Sequence, residues 1–304
     1  MLPKINLNNL KKCLDRLRKL DLSIISYPEI IDIMNKEIVL PILVTEVRAG
    51  NYIERIRINK EDEIFTSKQE LSYRTDFENI KTFGRANSPG FSIFYGTVIS
   101  SPIQLSRIVA LAETDELLRS QEKGKVDKDI FTTVSKWKIT KNMRLAEMVF
   151  KKDRIVTTPE IEKAYQFHLK VFRENMQEEE VQMLISILEF YSEEFAKADI
   201  VTDSDYKISA AYAESAFKTG SIQGIIYPSV KTDYEGSNVA LLPKTVDEHL
   251  QFEEALIVHV QIRGKKVFLD NLYRTGIVEA NVNDLGWYKM ESASEELKNK
   301  FFRT

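Results

Sequence analysis

The sequence predicts an α+β fold. Strand-patterned segments follow one another without regularly spaced crossover helices, which disfavours a doubly wound parallel sheet. Long amphipathic helical stretches stand apart from those strands, near the N-terminus and over residues 159–195. The chain has 304 residues, of which 43% are apolar and 29% charged. That length and composition fit one sizeable core with an extension and an insertion.

Leu7, Leu10, Leu14, Leu17, Leu20 and Leu22 recur among basic residues and give an amphipathic helix over residues 7–22. Asp21 to Lys36 forms a second helix opened by Pro28. The two make an N-terminal helical extension, residues 1–44, with no enzyme chemistry of its own; it caps the core or binds a partner. Tyr52 to Ile58 alternates with period two, as a half-buried strand does. Arg55 and Arg57 lie on one face, and Ile53, Ile56 or Ile58 on the other by local register. Phe91 to Ser100 is a second strand. Leu105 to Arg119 is a helix with Glu113 in or beside its apolar stripe. A carboxylate there finds a partner, faces a cleft, or stands at the solvent boundary. Ile130 to Ile139 is a strand, Pro159 to Phe195 two helices, and Tyr206 to Lys218 a short helix. Gly224 to Ser229 is a buried strand ending at a Pro-Ser turn, and Ser237 to Leu242 begins another. Leu256 to Val260 and Lys266 to Leu269 are late strands joined at Arg263-Gly264.

Composition narrows the function. The 43 basic and 46 acidic residues leave a net charge of -3, which is not the footprint of direct nucleic-acid binding. Cys13 is the sole cysteine, so neither an internal disulfide nor a cysteine-based zinc site can form. A lone thiol fits a reducing cytosol, and a cytoplasmic location is expected. No apolar run approaches the ~18 residues that span a membrane. His168, His249 and His259 are scattered and read as structural, so no metal is expected. No glycine-rich dinucleotide or phosphate loop, zincin motif or nucleophile elbow occurs. Arginine, tyrosine, glutamate, serine and asparagine remain to carry the chemistry.

Gly84-Arg85-Ala86-Asn87-Ser88-Pro89-Gly90 stands out among these. It places an arginine inside a tight turn that small residues would build alone. A guanidinium there is suited to meet an anion, and phosphate is the commonest one.

In order and spacing, four segments between about residues 45 and 245 resemble the RES family, named for its arginine, glutamate and serine. They are Ile53-Glu54-Arg55-Ile56-Arg57-Ile58-Asn59; the Gly84–Gly90 turn with Ser92-Ile93-Phe94-Tyr95; Ala110-Leu111-Ala112-Glu113-Thr114; and Gly224-Ile225-Ile226-Tyr227-Pro228-Ser229-Val230 with Gly236-Ser237-Asn238-Val239-Ala240-Leu241. The resemblance implies an ADP-ribosyltransferase-like split, curved β-sheet around an NAD cleft. Residues 45–304 would be this catalytic domain, with a helical insertion at about 150–205. NAD would be the substrate, cleaved between nicotinamide and ribose by a glycohydrolase or phosphorylase. By the same resemblance Arg85, Glu113 and Ser229 are the catalytic residues, and Arg55, Arg85, Tyr95 and Asn238 bind NAD. Glu54 stands where the family usually has an aromatic residue. Tyr73-Arg74 is a second Tyr-Arg pair, but Arg55 is preferred because it lies on a strand-patterned segment.

Nicotinamide leaves as a neutral base, so no general acid is required, and the ribose left behind is oxocarbenium-like. Arg55 and Arg85 would hold the pyrophosphate, and Tyr95 would stack on nicotinamide or bond to ribose. Glu113 would stabilise the cation or orient the attacking group. Ser229 and Asn238 would position the ribose. Many family members are toxins neutralised by a helix-turn-helix antitoxin, so an antitoxin is a candidate partner. The rival readings are an ADP-ribosyltransferase acting on a macromolecule and a degenerate, non-catalytic nucleotide-binding module. Acceptor and oligomeric state, homo-oligomer included, stay open.

Overall fold

The computed structural model describes residues 6–60, 63–99, 127–150, 159–228, 237–264, 266–276 and 282–303. It is a mixed structure of helices and largely antiparallel strands, in keeping with α+β. The chain falls into two compact units that interleave along the sequence. One comprises residues 1–47, 75–93 and 143–242; the other comprises 48–74, 94–142 and 243–304.

The first unit begins with α1 (Leu7–Arg18) and α2 (Tyr27–Glu37). Asn6 caps α1 and the helix ends at Arg18, four residues short of the leucine pattern. Leu10, Leu14 and Leu17 are buried on its inner face. Ser26 and Glu29 form a capping box that starts α2, later than Asp21, because the reciprocal cap satisfies the first free amides of the helix. Strands β1 (Val44–Val47), β5 (Met143–Glu147), β6 (Gly224–Pro228) and β7 (Ser237–Leu241) lie side by side in that order. The β5–β6 pair is parallel. A parallel pair requires a long crossover, and here it holds α4 (Pro159–Asn175), α5 (Glu178–Phe195) and α6 (Lys207–Lys218). Of these, α4 and α5 lie within the stretch of about 150–205 expected as an insertion. α1 packs on α5 and α2 on α6. Phe150, Leu169, Phe172, Val181, Leu184 and Leu188 form a core cluster beside them.

The second unit contains β2 (Tyr52–Ile58), α3 (Lys68–Leu71), β3 (Phe94–Ile99), β4 (Lys128–Ile139), α7 (Pro243–His249), β8 (Leu250–Arg263), β9 (Lys266–Thr275), β10 (Trp287–Lys289) and α8 (Glu295–Arg303). Its strands run β3-β2-β4-β8-β9-β10, each pair antiparallel. The late hairpin is far longer than the two short apolar runs suggest. Several of its polar side chains find partners across the strands, as where Asp129 accepts from Gln261 Nε2 and Arg263 and bonds to His259. Gly264 turns the hairpin at φ +58°, a backbone region that favours glycine.

One β2 face differs from the sequence expectation. Strict alternation places Ile53 on the same face as Arg55 and Arg57, while Ile56 joins Val134, Leu256 and Val258 in the core of the other face. Glu54 lies on that second face and is buried. The helix expected over 105–119 lies outside the described residues.

Gly224 shows how tightly β6 is held. A Cβ there would come within 2.7 Å of the Ala240 carbonyl oxygen and 2.6 Å of Leu241 Cδ2. The carbonyl belongs to the β6–β7 ladder and cannot move aside. Gly224→Ala should therefore destabilise the protein by about 1–3 kcal/mol, the usual cost of overpacking a core, measured by urea denaturation.

Candidate functional site

Arg55 and Tyr95 come together in the second unit. Arg55 lies mid-β2 opposite Ser135 of β4. Ser135 Oγ donates to the Arg55 carbonyl oxygen at 3.2 Å, and Trp137 Nε1 donates to Ser135 Oγ at 2.9 Å. The strand under the arginine is thus fixed by buried side chains. The guanidinium lies 5.1 Å above the Phe94 ring, and Nη1 donates to the Tyr95 carbonyl oxygen at 2.8 Å. Gly96 allows this approach, since a Cβ there would lie 2.5 Å from Ile53 Cγ2 and 3.2 Å from Phe94 Cε1.

The Arg55 guanidinium is incompletely satisfied. Its Nε is sealed from solvent without a hydrogen-bond partner, and among the described residues no carboxylate pairs with it. Burial first, and then the charge of Arg57, lower its pKa to about 10, so it stays protonated at neutral pH. Arg57 stands two residues along the same face, 4.6 Å over the Phe65 ring, and donates to the Glu70 carbonyl oxygen. Two cations on one face, balanced by rings and carbonyls rather than carboxylates, favour an anion over any other ligand. Arg74, the rival first arginine, is exposed in the stretch after α3.

Arg85 is placed differently. It belongs to the first unit and is 6% exposed. Its Nη1 donates to the Phe195 carbonyl oxygen at 2.6 Å and Nη2 to that of Lys197 at 2.8 Å. The guanidinium also lies 5.2 Å over the Tyr206 ring. Phe195 is the last residue of α5, where carbonyls lack helical partners and the helix dipole is negative. The turn around it closes as the sequence suggests. Gly84 N donates to the Asn87 carbonyl and Asn87 N to that of Gly84, and Gly90 has φ +80°.

Asn238 is buried on β7 opposite Tyr227 of β6. Glu113 and Ser229 lie outside the described residues. His168 packs among aromatic rings, with Nε2 2.8 Å from Glu147 Oε2, in keeping with a structural role. Among the described residues no cluster of histidine, cysteine and acidic side chains could hold a metal ion, and no helix is long and apolar enough to cross a membrane.

Sequence reasoning passed over Ser135, Trp137 and Gly96, which shape the Arg55 environment. Nothing in their local pattern signals it, since Ser135 acts across the β2–β4 pair, Trp137 acts through Ser135, and Gly96 leaves room for Ile53 of the neighbouring strand.

Compared with known families, residues 142–261 match the model of the RES domain. No curated protein matches the chain.

An unpaired buried donor is costly to a fold, typically about 1–3 kcal/mol. Arg55→Met keeps an unbranched side chain at the position and removes that cost. It should leave the melting temperature unchanged or raise it, measured by calorimetry without ligand.

Proposed function

We propose, with the RES domain at residues 142–261 as the premise, that this protein consumes NAD by breaking the bond between nicotinamide and ribose. That match is the observation that carries the reading. The Arg55 environment supports it, because a half-buried guanidinium that no described carboxylate neutralises suits a phosphate of the dinucleotide.

In the reaction the C1′–N bond breaks and its electron pair stays on nicotinamide, whose pyridinium charge is neutralised. A water or phosphate oxygen then bonds to C1′, and in the case of water a proton is released. Arg55 would hold the pyrophosphate. Glu113 would stabilise the ribosyl cation and orient the incoming oxygen. Ser229 and Asn238 would bond to the ribose, and Tyr95 would contact nicotinamide or ribose. Ser229 as a nucleophile is not required, since water or phosphate attacks directly.

Purified protein incubated with NAD, with and without phosphate, should release nicotinamide together with ADP-ribose or its 1″-phosphate, identified by mass. Glu113→Gln should slow that release by about 100-fold or more, the scale of removing a key electrostatic group. Intact NAD at high wild-type concentration would overturn the reading. Label appearing on an added protein or nucleic acid would replace hydrolysis with ADP-ribosyl transfer. If the chain is a toxin, induced expression should deplete cellular NAD, and the Glu113→Gln chain should not.

A further inference from the structure

The Gly84–Gly90 turn is gripped from several sides within the first unit. Arg85 ties it to the end of α5 through two carbonyl oxygens. Phe83, just before it, packs against Tyr27 of α2 with ring centroids 5.0 Å apart. The Phe83 amide donates to Asp203 Oδ2 at 3.0 Å. Asp203 opens the 3-10 turn Asp203–Tyr206, whose Tyr206 ring underlies Arg85. The Tyr27 hydroxyl is buried without a hydrogen-bond partner, and burial, then the charge of Glu214 on α6, raises its pKa well above the ordinary value. Phe91 stacks on Phe217 of α6 at 6.2 Å.

Lys207 adds a second buried cation. It is 8% exposed, and its Nζ donates to the Leu22 and Ile25 carbonyl oxygens at 2.7 and 2.8 Å. Those carbonyls belong to the link between α1 and α2. The same Nζ lies 5.9 Å from the centroid of the Phe83 ring. A buried ammonium must be hydrogen-bonded to persist in an apolar setting, so the link is held where its oxygens meet Lys207.

We infer that the N-terminal helices are a built-in brace for the Gly84–Gly90 turn, acting through Lys207, Tyr27 and Phe83, and that Arg85 is a strut of the same brace. In this arrangement the charge of Arg85 serves the fold, and the pyrophosphate role rests on Arg55 alone. The brace stands on geometry within one unit. Only its consequence for NAD rests on the proposed activity.

The test uses the full chain. Hydrogen exchange is followed at the amides of Gly84, Asn87 and Gly90, with the β8–β9 hairpin amides as an internal control. Lys207→Met should speed exchange in the turn by about tenfold or more, as local opening becomes easier, and leave the hairpin unchanged. Lys207→Arg, which can still donate to both carbonyls, should recover part of the protection. Unchanged turn exchange in Lys207→Met would overturn the brace. For the strut, Arg85→Lys should speed turn exchange while the KM for NAD stays within about threefold of wild type, since a lost ligand contact would raise KM with little change in the fold. Arg55→Lys should raise it about tenfold or more, as loss of charge-assisted hydrogen bonds does. A large rise in KM for Arg85→Lys with unchanged turn exchange would make Arg85 a ligand and overturn the strut. Absence of NAD turnover by wild type would sink the enzymatic reading alone, and the exchange measurements would still decide the brace and the strut.

Discussion

A guanidinium taken out of water has to be given oxygen atoms, and the two arginines of greatest interest meet that requirement in opposite ways. Arg85 finds both acceptors on backbone carbonyls at the end of α5. Those carbonyls would otherwise lack partners, so one contact satisfies both sides. Arg55 finds one carbonyl, an aromatic face and no acceptor for Nε. The first arrangement is closed and the second is open. Much of the structure around each follows from that difference.

Within the first unit the closed arrangement extends through neighbouring groups. Tyr206 lies under Arg85, Lys207 follows it in the chain, and Lys207 holds the α1–α2 link. The hydrogen bonds of Arg85 and Lys207 go to backbone carbonyls. Such bonds are insensitive to the titration of acids, and they fix direction because a carbonyl oxygen accepts over a limited range of angles.

The second unit supplies rigidity to Arg55 by other means. β4, β8 and β9 are long antiparallel strands, and Ser135 and Trp137 pin the β2 backbone from the adjacent strand. Gly96 removes a side chain where Ile53 and Phe94 need the space. An arginine on so fixed a strand keeps its guanidinium in one direction. That preorganisation favours an anionic ligand, because little ordering remains to be done on binding.

Local periodicity sufficed to mark helices over 7–22, within 159–195 and over 206–218 and the strand at 52–58, since a stripe or an alternation is written in adjacent residues; it overran the first helix, which ends at Arg18. The RES likeness was legible as well in the segment around Gly224–Val230 and Gly236–Leu241, which lies within the matched residues 142–261; the other three segments lie outside that match. Other features depended on residues far apart in sequence. The full length of β8 and β9 came from pairing across the hairpin, which stabilises polar positions that no apolar pattern marks. Which neighbours cover each face of β2 was likewise decided by its partner strands β3 and β4. The sequence by itself determined that an arginine would sit in the Gly84–Gly90 turn and another on a strand. Only the tertiary structure decided which of them has its donors filled, because the acceptors for Arg85 lie about 110 residues away on the end of a helix.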